Sequence, residues 1–338
     1  MKRVVHFGPI NSNGGMSSMM KLLIKNPPNE WLAESINTHS DNGIFTKLKL
    51  WSESKKKLNN IIRNNKINVA HIHVTHSMSW WRKISLKKIC KKNGIPTIMH
   101  IHSGRFEDFC NGMFGLIGRN VRKNFSIGKN KVIVLENRWI EILGKWIPQD
   151  SEVIPNIAFK TSNKDKIIIG KKIKILMLSR KSSGKGHLFA LSVLDSLISK
   201  GVDAEMTMTG AVESDFNSLR DGKLKPLGWV SEKKKEELIE QSNILIMPSA
   251  FEGSSISVIE AMINHLPCIV SPASRETVGI DELVLELNNP EEWANKIMEI
   301  SDEINYDRII NQIKINSEKY SIEHVINQWK IVYEKLLN

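Results

Sequence analysis

Cysteine is scarce in this chain. Its 338 residues hold 3, Cys90, Cys110 and Cys268, an odd number spaced too widely for a disulfide framework or for paired metal ligands. A reducing, cytoplasmic compartment is the expectation. Long apolar runs are missing as well: no stretch approaches the ~20 residues of a membrane-spanning helix. The apolar stretch that begins at Val4 is too short for a secretory signal and has no small-residue cleavage site, so it reads as a first strand. No Gly-x-Gly-x-x-Gly follows that strand, which argues against a nicotinamide cofactor. Sequence repeats, collagenous tracts and coiled-coil heptads are also absent.

Positive charge is in excess, with 48 Lys and Arg against 36 Asp and Glu and a formal charge of +12. Such a surplus attracts anionic partners: nucleic acid, a bilayer face or a phosphorylated substrate. It also fits a surface merely solvated by scattered lysines. The denser runs, Lys55-Lys56-Lys57, Lys87-Lys88 with Lys91-Lys92, and Arg119 with Arg122-Lys123, lie in the first half and predict a basic face there. They lack the interleaved aromatics that stack bases, so nucleic acid is not the expected partner. Trp80-Trp81-Arg82-Lys83 combines residues suited to the headgroup zone, and an anionic membrane surface is a candidate partner. Packing of a tryptophan inside a core helix is the competing account of that tetrapeptide.

Apolar strand-like runs alternate with helical patterns along the whole length. The first half predicts strands at Val4–Gly8, Val69–Val74, Thr97–His102 and Val132–Leu135, the second at Lys174–Ser179, Ala204–Thr209, Ile244–Met247 and Cys268–Ser271, with helices between them. Strand–helix–strand repetition means parallel sheets covered on both faces, and the length favours two domains. The predicted division is α/β, with a Rossmann-like doubly wound domain at 1–160 and a second at 161–320. A polar stretch from Thr161 to Lys166 reads as the linker. The last residues, 321–338, predict an amphipathic helix carrying Val325, Trp329, Val332 and Leu336 on one stripe, expected to pack back on the first domain.

The segment from Asn243 to Pro272 is the most informative. A buried-strand run ends in Pro248-Ser249; Phe251-Glu252-Gly253-Ser254-Ser255 follows, then a helix opening at Ile256 and carrying Glu260-Ala261-Met262. Small residues before a helix leave backbone N–H groups and the positive helix end facing outward, where a phosphate can sit. Glu260, one turn inside, can accept hydrogen bonds from sugar hydroxyls. The alternative use of two glutamates near a helix start is capping. In order and spacing, this segment resembles the signature of family-4 glycosyltransferases, and the strand, the loop and the helix fall where that family has them.

Other motifs extend the resemblance over nearly the whole chain. Arg180 and Lys185, in Ser179-Arg180-Lys181-Ser182-Ser183-Gly184-Lys185-Gly186, resemble the family's Arg-x-x-x-x-Lys-Gly and stand about 70 positions ahead of the Glu252 loop. Alone, such a pair would be a solvated basic loop. Gly14-Gly15 after the first strand resembles the family's paired-glycine loop, although on its own it marks only a turn. His100 and His102 share a strand face, as do His71 and His73, but no third ligand stands at matched spacing and no metal is expected. His102 best matches the family histidine that contacts the transferred sugar. Departures are Glu136 where many members have Ser, Ile157 where Gly is usual after Val153-Ile154-Pro155-Asn156, and Ser254-Ser255 in place of an aromatic and Pro.

What the resemblance implies is a GT-B enzyme with two domains facing across a cleft: a retaining, metal-independent glycosyltransferase with no cofactor. Its donor would be a UDP- or GDP-linked sugar. Its acceptor would be a glycan or lipid-linked sugar of cell-surface polysaccharide synthesis, at the inner face of the cytoplasmic membrane. His102, Arg180, Lys185 and Glu252 are the expected catalytic residues. Gly15, Gly210, Trp229, Val230, Gly253, Ser254, Ser255, Ile256 and Glu260 join Arg180, Lys185 and Glu252 around the donor, and Gly14, Gly15 and Asn156 lie on the acceptor side. Trp229 also suits a core position. A GT-B sugar-nucleotide 2-epimerase and a basic nucleic-acid-binding protein remain alternatives.

Overall fold

Every strand pairing in the computed structural model is parallel, and the strands fall into two sheets. The structure describes residues 1–12, 14–40, 43–64, 67–161 and 172–338. Most of the expected linker (162–166), and Asn13 of the loop before Gly14, fall outside the described residues. Two units emerge from the contacts: Met1–Ile157 together with Ile322–Asn338, and Ala158–Ser321.

The first unit runs β1 (Lys2–Gly8), α1 (Gly15–Lys25), β2 (Trp31–Asn37), α2 (Ile44–Arg63), β3 (Val69–Val74), α3 (Met78–Lys92), β4 (Thr97–Ile101), α4 (Phe106–Asn111), α5 (Leu116–Phe125), β5 (Asn130–Val134), α6 (Arg138–Leu143) and β6 (Glu152–Val153). Its sheet order is β2-β1-β3-β4-β5-β6. Central parallel strands are covered on both faces, so they read as unbroken apolar runs rather than alternating ones. β3 shows the consequence, since all six of its residues are buried, His71 and His73 included.

The second unit runs β7 (Ile173–Met177), α7 (His187–Ser199), β8 (Ala204–Met208), β9 (Leu224–Pro226), α8 (Glu232–Gln241), β10 (Ile244–Met247), α9 (Ile256–Ile263), β11 (Cys268–Val270), α10 (Arg275–Val278), α11 (Pro290–Ile300) and α12 (Glu303–Ser317). Its order is β11-β10-β7-β8-β9. After β9 the chain returns to the other side of β7, so the direction of winding reverses between β7 and β10. In open parallel sheets, ligands bind beyond the carboxyl ends of the strands at such a reversal. The loops following β7 and β10 are those that carry Arg180, Lys185 and Glu252.

Helix α13 (Ile322–Leu337) belongs to the first unit and covers its sheet with Val325, Trp329, Val332, Tyr333 and Leu336. Trp329 lies against His71 and His100, with ring centroids 4.5 and 5.0 Å apart, and the Tyr333 hydroxyl is 2.9 Å from His71 Nδ1. Among the described residues no helix is long and apolar enough to cross a membrane.

Candidate active site

Three loops at the carboxyl edge of the second sheet are bound to one another. The loop after β7 is tied to the loop after β10 by the Ala250 amide, which donates to the Gly184 carbonyl at 2.7 Å. Gly186 has φ +79°, and a Cβ there would stand 2.1 Å from the Pro248 carbonyl oxygen. Only glycine permits both that backbone and that approach. The loop after β8 is fixed in the same way. Gly210 has φ +83°, and a Cβ would fall 2.4 Å from the Ser179 carbonyl oxygen and 2.6 Å from the Lys181 amide. The Thr209 hydroxyl accepts from the Ser179 amide at 3.0 Å, and His187 Nε2 lies 3.0 Å from both Ser179 Oγ and the Thr209 carbonyl. His187 was not singled out in the sequence, yet it holds two of the three loops together.

The charged groups are set on this frame. Lys185 Nζ lies 2.6 Å from Glu252 Oε1, with side chains 20% and 10% exposed. A partly buried pair of this kind holds both ends in one geometry. Arg180 is exposed and makes no ion pair among the described residues, so its guanidinium is available to an anion. Gly253 and Ile256 are half-buried and Ser254 and Ser255 buried, leading into α9. The Ser255 amide donates to the Thr277 hydroxyl at 3.4 Å, so that amide already has a protein partner. The Gly210 amide donates to the Gly228 carbonyl at 2.7 Å, which brings the loop carrying Trp229 alongside. Trp229 is 51% exposed, which overturns the core reading, while Val230 packs against the hydrophobic core.

Glu260 has a partner that the sequence did not reveal. Lys235 Nζ, from α8, lies 2.5 Å from Glu260 Oε1 and 2.6 Å from Glu232 Oε2. Burial raises the Glu260 carboxyl above the usual range, with Lys235 pulling the other way. Burial works against the Lys235 ammonium, but Glu260 and Glu232 outweigh it and hold its pKa above the ordinary lysine value. In sequence Lys235 sits in Lys233-Lys234-Lys235, a run that looks like a solvated helix face; α8 turns only this lysine toward α9.

In the first unit, Gly14 and Gly15 form the cap and first residue of α1. Asn156 is 2% exposed, and Glu136 is buried in an ion pair with Arg138 at 2.7 Å. His102 follows β4, with Nε2 2.9 Å from His73 Nδ1. It belongs to a group of five imidazoles. The register sets His6 beside His71 and His73 beside His100, so β1, β3 and β4 all present histidine to one face. The cross-strand register gathers two histidine triplets, His6 with His71 and His73, and His73 with His100 and His102, that no local spacing shows. Burial drives His6 and His102 down to about 3, the latter with a contribution from Lys83, and lowers His71, His73 and His100 in the same direction. Trp80 and Lys83 are buried, so only part of the Trp80–Lys83 tetrapeptide faces outward, Trp81 being 42% exposed. Burial, with Arg82 adding to it, takes the Lys83 ammonium to about 7.

Residues 172–303 match the family model described as Glycosyl transferases group 1. Among curated proteins, the chain is 22% identical over 321 residues to the Escherichia coli UDP-Gal:alpha-D-GlcNAc-diphosphoundecaprenol alpha-1,3-galactosyltransferase, covering 86% of this chain and 80% of that protein. Among solved structures, Anabaena HepE, determined with UDP and glucose, superposes with TM-score 0.71 at 12% identity over 99% of this chain and all of that one. Staphylococcal TarM superposes with TM-score 0.62 at 19% identity, over 78% of this chain and 54% of TarM. At these identities the superpositions establish the fold, which is GT-B. The family match falls on the unit that holds the Arg180, Lys185 and Glu252 loops, so that unit is similar to the group-1 glycosyl transferases, and the chain is a glycosyltransferase.

Proposed function

We propose that this chain is a retaining, metal-independent glycosyltransferase of family 4 that takes a sugar from a nucleoside diphosphate. One observation carries the reading: Arg180, the Lys185–Glu252 pair and the start of α9 share one edge of a sheet, at the point where its winding reverses. Two cations beside a helix start suit a pyrophosphate and can stabilise charge that develops on it as the bond to the sugar breaks. Glu252, already held by Lys185, orients the sugar hydroxyls, and Glu260 receives the ribose hydroxyls. Trp229 and Val230 flank the base, and Gly210 allows the backbone to approach it. In the first unit, His102 is assigned to the transferred sugar and Gly14, Gly15 and Asn156 to the acceptor. The acceptor oxygen attacks the anomeric carbon on the face from which the diphosphate leaves, its proton passing to the departing phosphate oxygen, so the configuration is kept.

UDP is the favoured nucleotide, because the E. coli relative's name gives a UDP sugar and the Anabaena structure contains UDP. That relative's diphosphoundecaprenol acceptor favours a lipid-linked acceptor and polysaccharide biosynthesis. A thermal-shift panel of UDP, GDP, ADP and CMP tests the donor site: UDP at 100 times its Kd should stabilise by ~2.7 kcal/mol. No shift with any nucleotide would refute the reading. Incubating the sugar nucleotide without acceptor separates the 2-epimerase, which would isomerise it, from the transferase, which would not. The anomeric proton coupling of the transferred sugar reads retention directly.

Peripheral attachment to the inner face of the cytoplasmic membrane belongs to the same proposal. Trp81 and Met78 of α3 are exposed, as are Met113, Phe114 and Leu116, followed on α5 by the exposed Arg119, Arg122 and Lys123. Apolar side chains beside lysine and arginine match an anionic headgroup layer. Flotation with phosphatidylglycerol vesicles at low salt and its loss at high salt is the expected result; no binding at low salt would contradict it.

A further inference from the structure

We infer that His73, His100 and His102 form a binding site for a single divalent transition-metal ion, of the Zn²⁺ class, within the first unit. The site shares His102 with the sugar contact proposed above, on which it rests for that residue alone, and the ion takes no part in the transfer, which needs no metal.

One ring nitrogen from each of these three residues lies within 4.8 Å of the other two. Three nitrogens around a tetrahedral ion at about 2.0–2.1 Å would stand roughly 3.3 Å apart, so small side-chain adjustments suffice. The hydrogen-bond pattern identifies which nitrogens they are. His100 Nδ1 is 3.1 Å from His71 Nε2, while His100 Nε2 is buried and has no hydrogen-bond partner among the described residues. A buried ring nitrogen left without a partner costs free energy, and an ion would relieve it. His73 Nε2 is 3.0 Å from His6 Nδ1, leaving Nδ1 to face His102 Nε2 at 2.9 Å.

With His73 Nδ1, His100 Nε2 and His102 Nε2 as ligands, the remaining contacts become an orienting shell. His73 Nε2–H donates to His6, His100 Nδ1–H donates to His71, and His71 Nδ1–H donates to the Tyr333 hydroxyl 2.9 Å away. The tautomers of His73 and His100 are then fixed by the bonds on their far nitrogens, the arrangement found around metal-bound imidazoles. A second triplet, His6, His71 and His73, is also close enough. It is the weaker candidate, because its ring contacts are all buried within the array, whereas His102 is only partly buried and offers entry and a fourth, open position. Three neutral imidazoles suit Zn²⁺, Co²⁺, Ni²⁺ or Cu²⁺ and do not suit Mg²⁺ or Ca²⁺. His102 keeps Nδ1 for a sugar hydroxyl, so the ion and the sugar contact are compatible. The ion would tie β3 to β4 beneath α13.

The test uses the full chain, stripped with a chelator and dialysed, and titrated with Co²⁺ in the absence of any nucleotide. One Co²⁺ per chain is expected, with the intense visible absorption of a four-coordinate site and displacement by Zn²⁺. His102→Ala and His100→Asn should each weaken binding by at least 30-fold. His76→Ala, at a histidine outside the triplet, should change it by less than threefold. Should His100→Asn misfold, as circular dichroism would show, the partly buried His102 still decides. Substoichiometric metal with no visible band overturns the inference, as does unchanged affinity in His102→Ala. Because nothing in the titration involves donor or acceptor, failure here leaves the transferase reading standing, and the reverse also holds.

Discussion

Lys185→Ala should lower kcat/KM for sugar transfer by about 10²–10³, equivalent to ~3–4 kcal/mol of transition-state stabilisation. The side chain is 20% exposed and its ammonium lies 2.6 Å from Glu252, so it is a held charge rather than a mobile one. Preorganised charge is worth most where it grows during the reaction, and on this account it grows on the leaving diphosphate. Removing the ammonium also takes the ion pair from a carboxylate that is only 10% exposed, at an added cost of ~1–3 kcal/mol in stability. The two effects separate in a radiolabelled transfer assay run beside thermal unfolding. Lys185→Arg keeps the charge but replaces a compact ammonium by a planar fork, and should recover part of the activity. Wild-type kcat/KM in Lys185→Ala would remove this loop from the donor site.

Acid should unfold the first unit well above the pH at which carboxylates titrate. His6 and His102 fall to about 3 in the folded chain through burial, and His71, His73 and His100 move the same way. Unfolded histidine titrates near 6.5. Between those values the unfolded chain binds more protons than the folded one, so stability is highest above pH 6.5 and declines as pH drops toward 3. His6 and His102 each contribute ~1.4 kcal/mol per pH unit across that window. The groups facing the array, the Tyr333 hydroxyl and the Lys83 ammonium, supply no counter-charge for an imidazolium. Total domain stability is only ~5–15 kcal/mol, so a drop of two pH units removes a large share of it. Thermal unfolding of the chelated chain should show Tm falling steeply from pH 7 to pH 5. A flat profile across that range would mean that the imidazoles are solvated.

How far the residues announced this structure differs from element to element. β3 and β10 stand at their expected bounds because strands buried on both faces are uninterrupted apolar runs. β2 is an edge strand with several partly exposed residues, and β6 has two residues, so neither produces a run that stands out. α12 and the pair α4 and α5 likewise give no pattern that stands out. In the site, Arg180, Lys185, Glu252 and Glu260 lie in contiguous motifs and could be read directly. Lys235 and His6 could not. Each acts through a pairing set by tertiary register, Lys235 across α8 and α9 and His6 across β1 and β3, and neighbouring residues carry no trace of it.

The most direct measurement is a crystal structure of the chain with bound UDP. The account predicts the diphosphate within hydrogen-bond distance of Lys185 Nζ and the Arg180 guanidinium, at the amino end of α9. A diphosphate bound elsewhere, with both cations facing solvent, would contradict it.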